Sequence, residues 1–530
     1  MNLIDLSEKW LTFRQHDGHT TAGAVCDLVR PEWADLDAPR ADFCGATYQL
    51  LIGLLQVRLA PDSRKEWLQL YHTPPTPEAL QAALADWLPA FALSPDSGPA
   101  FMQDLDPLAS QEPISTLNLL IDQGSDSNSY FNKTTQWAGL CPRCTALALF
   151  TLQINAPSGG VGHRVSLRGG GPLTTLVLPS DPQATLWQRL WLNVIPRQDL
   201  PADAGDWHSP RPDAAILPWL GATRISDKTG VPTPPDAVHP LQAYWSMPRR
   251  IRLAPPHQDG GCCEICGQTD IPLFRQYRTR NYGTNYTDGW LHPLTPYTLD
   301  SKNEKPPLSV KGKKGNTQYR QWLALTLSDS SKQQQAAAVV SDFLRGKARR
   351  LKQPIARLWC FGFEMDNMKA KCWYDSQMPL LALADPEQEK AFAGAVQRLL
   401  QLASERAELL RKQVKAAMFR HPSEANAEPM VEQSFWQATE ASFYQALDQL
   451  AQQPDPLPVY RHWMSLTYQR SLQLFDQWVL NAPIEQMDDA RVVKARHSLG
   501  KLLSAGKASK ALYTIIDSHQ ESKHVNHPAG

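Results

Sequence analysis

The chain has 530 residues, 42% of them hydrophobic, and its 53 lysines and arginines balance 53 aspartates and glutamates. That length exceeds what one core ordinarily supports, so two domains, or three, are expected. The zero net charge excludes a whole-molecule electrostatic attraction to nucleic acid, so any such surface must be local.

The opening MNLIDLSEKWLTF places Asp5 and Glu8 inside what a signal peptide would need as its apolar core, and no membrane-length apolar run occurs anywhere. A cytoplasmic protein with no membrane partner is expected. As far as about Asp375, short apolar runs are broken by Pro, Gly, Asn and Asp, with helical stretches such as EALQAALADWLPAF between them. That texture predicts a mixed α/β domain with long connections.

Nine cysteines, an odd number partly grouped as C-x-x-C pairs, point in a reducing compartment to metal rather than disulfides. Cys141-Pro-Arg-Cys144 and Cys263-Glu-Ile-Cys266 form two knuckles, the second closed by Gly267. Together they supply the four thiolates of a closed, tetrahedral, structural Zn2+ site. Cys262 is a spare neighbour able to substitute in one register.

After the first knuckle comes APSGGVGHRVSLRGGGP, Ala156 to Pro172, which holds six of the chain's 29 glycines. Glycine at that density lets a backbone approach something closely. A phosphate loop would need Gly-Lys-Ser/Thr, and here His163, Arg164 and Val165 follow Gly162. A dinucleotide fingerprint is also excluded, because the spacing is not G-x-G-x-x-G and no strand–turn–helix unit surrounds it. Three basic stretches are candidate local nucleic-acid surfaces, though such runs are more often just a solvated face or loop. They are RRIR (Arg249, Arg250, Arg252), KGKKGN (Lys311, Lys313, Lys314) and RGKARRLK (Arg345 to Lys352). His163, His292 and His462 stand alone, without a nucleophile or carboxylate at motif spacing, and read as structural. A binding protein is expected rather than an enzyme.

Beyond residue 380 the pattern changes. Phe392, Val396, Leu399, Leu400 and Ala403 fall at helical spacing, followed by Phe435, Phe443, Leu447 and Leu450, by Trp463, Leu466, Phe475 and Val479, and by Val492, Ala495, Leu499 and Leu503. Four amphipathic segments joined by Pro-marked loops predict a four-helix bundle over 380–530. The expected fold class is α+β: a large, irregular, mixed α/β domain over 1–379 with a zinc-knuckle site, then that bundle.

The order and spacing of NLID, SYFNK…LCPRCTALALF, NAPSGGVG…SLRGGGPLTTL, CEICGQ, NYGTNYTDGWLHPLTPY and the carboxy-terminal bundle resemble, nearly end to end, the CasA family. CasA proteins are the large subunits of Cascade, the type I-E CRISPR surveillance complex. The resemblance implies a non-catalytic subunit of a ribonucleoprotein. Its implied partners are the other Cascade subunits, crRNA, double-stranded target DNA and a helicase-nuclease. In that family a glycine loop, a basic finger and a glutamine wedge meet the protospacer-adjacent motif from the minor groove and help open the duplex. The glycine loop falls here on Ser158, Gly159, Gly160, Val161 and Gly162, with Val161 where a glycine is expected. The basic finger falls on Arg280 or Asn281 and the wedge on Gln334 or Gln335. A loop reaching the RNA end falls on Tyr130, Phe131 and Asn132. The small residues after the glutamines in SSKQQQAAAVV favour a helix start, which would present the amides from a rigid end. A minor groove ~6 Å wide admits bare backbone more readily than side chains. The alternative is a zinc-stabilised enzyme whose Gly-rich loop holds a nucleotide; it would need a phosphate-binding Lys or an acidic metal pair near Gly159 to Gly162, and neither is visible.

Overall fold

The computed structural model describes the chain to residue 525 apart from 124–136, 158, 201–212, 228–230, 288, 303, 314, 316–317, 328–332, 354, 367–368, 384, 424–428, 454 and 482–487. The sequence-derived sites Tyr130, Phe131, Asn132 and Ser158, together with Lys314, lie outside the described residues. The chain divides into two compact units, one made of Met1–Thr317 with Ala324–Ala382, the other of Gln318–Leu323 with Leu383–Gly530. Among the described residues no helix is long and apolar enough to cross a membrane.

The first unit is mixed α/β. The helices Ala41–Leu59 and Pro142–Asn155 are buried on nearly every face, as their apolar composition requires of central helices. Beside them an aromatic cluster of Phe91, Phe101, Phe150, Trp219 and Trp245 fills the core, with ring centroids 5.4 to 6.3 Å apart. The sheets are small. The largest joins the hairpin Ile355–Asp366 and Lys369–Leu381 to Thr174–Pro179, all antiparallel, and every residue of Thr174–Pro179 is buried. That burial explains why TTLVLP carries almost no polar alternation.

Much of the basic sequence is interior. Arg250 is 3% exposed and pairs with Asp104 at 2.5 Å and with Asp106 at 3.2 Å. Lys347 pairs with Asp342 at 2.6 Å and donates to the carbonyls of Leu192 and Val194, both at 2.9 Å. Lys311 donates to the Arg168 carbonyl at 2.6 Å. The reading of these runs as surfaces is therefore corrected at Arg250, Lys311 and Lys347, where specific acceptors offset the desolvation of each cation. His292 is buried against Tyr244, and its Nδ1 accepts the Leu294 N–H at 3.1 Å, which is the structural role expected of it. His462, by contrast, is exposed.

The second unit contains five helices among its described residues, Pro386–Met418, Pro429–Gln452, Leu457–Leu480, Asp489–Ala505 and Lys507–Val525, and the first touches each of the others. Four were expected. The fifth begins directly after Gly506, with the Ala508 N–H held by Glu405 Oε2 at 2.8 Å, and buries Leu512 and Ile516 at i, i+4 spacing. Asp385 and Asp488 cap their helices by accepting first-turn N–H groups. The apolar positions read from the sequence face inward except Leu466, which is half-buried while Met464 and Thr467 take the core-facing places. Gln318–Leu323 packs into this unit as well. Tyr319 stacks on Phe443 with centroids 4.4 Å apart and bonds Thr439 Oγ1 at 2.7 Å, and Trp322 meets Phe392 edge-on at 6.0 Å.

Candidate metal centre and nucleic-acid interface

Cys141 caps the buried helix Pro142–Asn155, which places Cys144 one turn into it. The Cys263 knuckle turns back on itself through the Gly267 N–H, which donates to the Cys263 carbonyl at 2.9 Å with Gly267 at φ +70°. Pairing of Leu140 with Phe274 brings the two knuckles together. All four sulfurs then lie within 4.8 Å of one another, with Cys141 Sγ and Cys266 Sγ 3.7 Å apart. A tetrahedron of sulfurs ~2.3 Å from a metal has edges of about 3.8 Å, so the residues fit a four-thiolate ion. Backbone N–H groups of Cys141 and Cys144 point at sulfurs of the set, at 3.3 and 3.4 Å. Hydrogen bonds from Cys141 and Cys144 pull the Cys263 thiol down, while bonding to Cys141 and Cys263 pushes Cys144 well up. Cys262 stands outside the cluster, exposed, with its Sγ toward the Gly267 carbonyl at 3.6 Å.

The glycine-rich stretch divides into two parts with different surroundings. Gly169, Gly170 and Gly171 press against the chain itself: a Cβ on Gly171 would lie 2.5 Å from the Phe363 carbonyl oxygen, and one on Gly170 2.9 Å from Pro157 Cα. Gly159–Gly162, by contrast, forms a surface turn. Gly160 has φ +91° and nothing within 4 Å of where its Cβ would be, and Val161 is 76% exposed.

That turn rests on the end of the strand Gln276–Arg280. Asn281 Nδ2 donates to the Val161 carbonyl at 2.9 Å, and the Tyr282 N–H donates to the Gly162 carbonyl at 2.8 Å. A Cβ on Gly162 would sit 2.8 Å from Asn281 Cβ, so that glycine is required for contact with the strand end. The structure therefore brings together the glycine loop and the TRN segment, 120 residues apart. Of the two candidates for the basic position, Asn281 is bonded to the loop and Arg280 is exposed beside it. Sequence reasoning missed the support beneath. Tyr282 turns at φ +63°, its carbonyl accepts the Ser226 N–H at 3.1 Å, and Arg164 bonds Ser226 Oγ at 2.7 Å. The only signal for it was the Asn-Tyr-Gly turn; nothing in the sequence ties Ser226 to it.

Gln334 and Gln335 do not stand in a helical turn. They form a short strand paired with Tyr297–Thr298, and the helix starts only at Ala338. Gln333, at φ +58°, turns the chain into that strand, with its carbonyl held by the Leu299 N–H at 2.7 Å. Tyr297–Thr298 pairs on its other edge with Leu308–Ser309. The carbonyl of Arg168 is bonded by Ser309 Oγ and Lys311 Nζ. One hydrogen-bonded path thus runs from the loop's own segment to the two glutamines. The Arg168 guanidinium, wholly buried and pushed down to about 10 by desolvation, anchors that path on Gln49, Thr174 and Thr295.

Residues 2–474 match the family described as CRISPR-associated protein Cse1. The chain belongs to that family. Its fold is similar to that of Thermus thermophilus CasA (Cse1), at 17% identity and a TM-score of 0.68 over 95% of this chain and 99% of that one. Cse1 from Acidimicrobium ferrooxidans gives 17% and 0.63 over 97% and 99%. A chain of a CRISPR RNA-guided surveillance complex gives 15% and 0.64 over 95% and 99%. At these identities the likeness is one of fold.

Proposed function

We propose that the chain is the large, non-catalytic subunit of a type I-E Cascade complex, reading the protospacer-adjacent motif of double-stranded DNA and helping to open it for crRNA pairing. The observation that carries this reading is the exposed Gly159–Gly162 turn, fixed by Asn281 and Tyr282 beside the exposed Arg280. Gly159 and Gly160 offer backbone without bulk, which suits a narrow minor groove, and Arg280 adds a cation at its edge. The four cysteines hold zinc, whose full thiolate coordination leaves no open position and so serves structure alone. The C-terminal helices, a four-helix bundle extended by Lys507–Val525, are the platform on which the helicase-nuclease is recruited. The complex works in the cytoplasm.

Arg280→Ala tests the reading. In the reconstituted complex, duplex targets carrying the motif are expected to bind on the order of tenfold more weakly, the ~1–3 kcal/mol of one groove contact. Single-stranded targets, which need no motif, should bind as before. Unchanged duplex binding would remove Arg280 from the site.

Gln334 and Gln335 act as the wedge from their strand, where they reach a base step without a helix end behind them. With both changed to alanine, duplex binding should fall while a target pre-melted beside the motif binds nearly as well as to wild type. The bubble supplies the few kcal/mol of unstacking that the wedge no longer offsets. Equal losses on the two targets would place these glutamines in assembly instead.

A further inference from the structure

As a member of the RRIR run, Arg249 reads from the sequence as surface charge, yet the structure buries most of it. Its backbone N–H and carbonyl both bond the side-chain amide of Gln153, at 3.0 Å each, which fixes where the residue stands. From there the guanidinium forks. One terminal nitrogen meets His163 Nδ1 and the other donates to the Pro157 carbonyl. Pro157 and His163 lie on either side of Gly159–Gly162, so a single side chain closes the neck of the turn.

Its neighbour Arg250 pairs with Asp104, whereas Arg249 makes no ion pair among the described residues. A buried cation without a carboxylate needs acceptors for its donors; here both terminal nitrogens have one, while Nε has no hydrogen-bond partner among the described residues. Desolvation pushes its pKa down to about 10, and burial together with this guanidinium holds His163 below its ordinary 6.5, so the ring is neutral and its Nδ1 can accept. Arg164 is turned away to Ser226 and the Asp227 carbonyl, and Tyr277 is the titratable group that acts on the Arg249 guanidinium. Gly159 bears an independent mark of the same contact. A Cβ there would lie 2.7 Å from His163 Cβ and 3.1 Å from the Arg249 nitrogen.

We propose that Arg249 is a positioning residue, a clasp across the neck of the Gly159–Gly162 turn that sets the turn's shape for DNA without itself touching the ligand. This rests on the reading of the turn given above, so one arm of the test needs no DNA. Arg249→Leu keeps an apolar stem and the backbone bonds to Gln153 but removes the fork. In the full-length subunit, deuterium exchange of a peptide spanning 157–164 is expected to rise about tenfold in rate, the mark of local opening. Exchange at the imidazole C2 position, which reports the His163 titration, should move upward toward 6.5. Arg249→Lys, a point donor for two acceptors, should restore only part of the protection. Unchanged exchange and an unchanged His163 titration in Arg249→Leu would overturn the proposal. In the reconstituted complex the same variant should weaken binding of motif-bearing duplex about tenfold and spare single-stranded target. Raised exchange with unchanged duplex binding would leave the clasp in place and count against the turn as the reader. Equal loss on both targets would assign Arg249 to assembly and overturn its positioning role.

Discussion

Protein purified without a polyhistidine tag is expected to carry one equivalent of zinc, and Cys144→Ser is expected to lose it together with most of the stability of the first unit. Cys144 is wholly buried within the first turn of a helix that forms part of the core, and Cys141 is its cap. Among the described residues the opposite knuckle is tied to it by the pairing of Leu140 with Phe274, by the Glu264 N–H donating to the Gly139 carbonyl at 3.2 Å, by the Ala138 N–H donating to Glu264 Oε1 at 3.1 Å and by the Cys141 N–H donating to Cys263 Sγ at 3.3 Å. A metal joining the two knuckles adds to these few bonds in closing the chain between them. Structural zinc contributes an apparent ~10–16 kcal/mol in small zinc domains, as much as the ~5–15 kcal/mol that separates a typical fold from its unfolded chain. Elemental analysis and a melting curve with and without a chelator check it. Metal-free protein with an unchanged melting curve would sink the assignment.

Two glycines of one stretch are expected to behave oppositely when replaced by valine. At Gly171 the backbone has φ +56° and a Cβ would meet the Phe363 carbonyl oxygen at 2.5 Å, while Gly312 and Gly362 pack there so closely that a Cβ on Gly312 would lie 2.5 Å from the Gly362 carbonyl carbon. Three segments cross with no room for a side chain, and rigid backbone cannot give way. Gly171→Val should therefore cost more than ~4 kcal/mol, in the range where a fold of ordinary stability fails. Gly160 is also at positive φ, +91°, but has open space around it. Gly160→Val should cost only about 1–2 kcal/mol of backbone strain and leave a folded subunit whose binding of motif-bearing duplex is lost. Thermal unfolding and duplex binding of the two variants separate the cases. A Gly171→Val protein melting like wild type would refute the steric argument.

Those two positions show what could be read in advance. The density of glycine announced close approach, but a count cannot say whether the approaching atoms belong to the chain or to a ligand; that needs Phe363 and Asn281 to be in place. The cysteine knuckles were readable because each is local and its partner set is fixed by coordination chemistry. The C-terminal helices were readable through their 3.6-residue period, and the fifth was missed although Leu512 and Ile516 carry the same spacing. Gln334 and Gln335 went the other way. Alanines after them do begin a helix, but pairing with Tyr297–Thr298 claimed the glutamines first. Charge misled most: Arg249, Arg250, Lys311 and Lys347 look like surface until Asp104 and a set of backbone carbonyls, distant in sequence, are brought beside them, with Asp342 joining from one turn before Lys347.

The six residues Gln318–Leu323 belong to the helical unit although some sixty residues of the other unit follow them before the first long helix begins. The boundary is therefore not a point on the sequence but a set of three crossings. A chimera that exchanges the helices between relatives by cutting near 382 would take away the partners of Tyr319 and Trp322 and leave Phe392, Trp436 and Phe443 facing another protein's version of that strip. Exchange as a cassette is possible only if the strip travels with the helices. Tyr319 stacks on Phe443 from a strip that the chain lays down within its neighbour's stretch of sequence, so part of the helical unit's core is encoded outside its own run of helices.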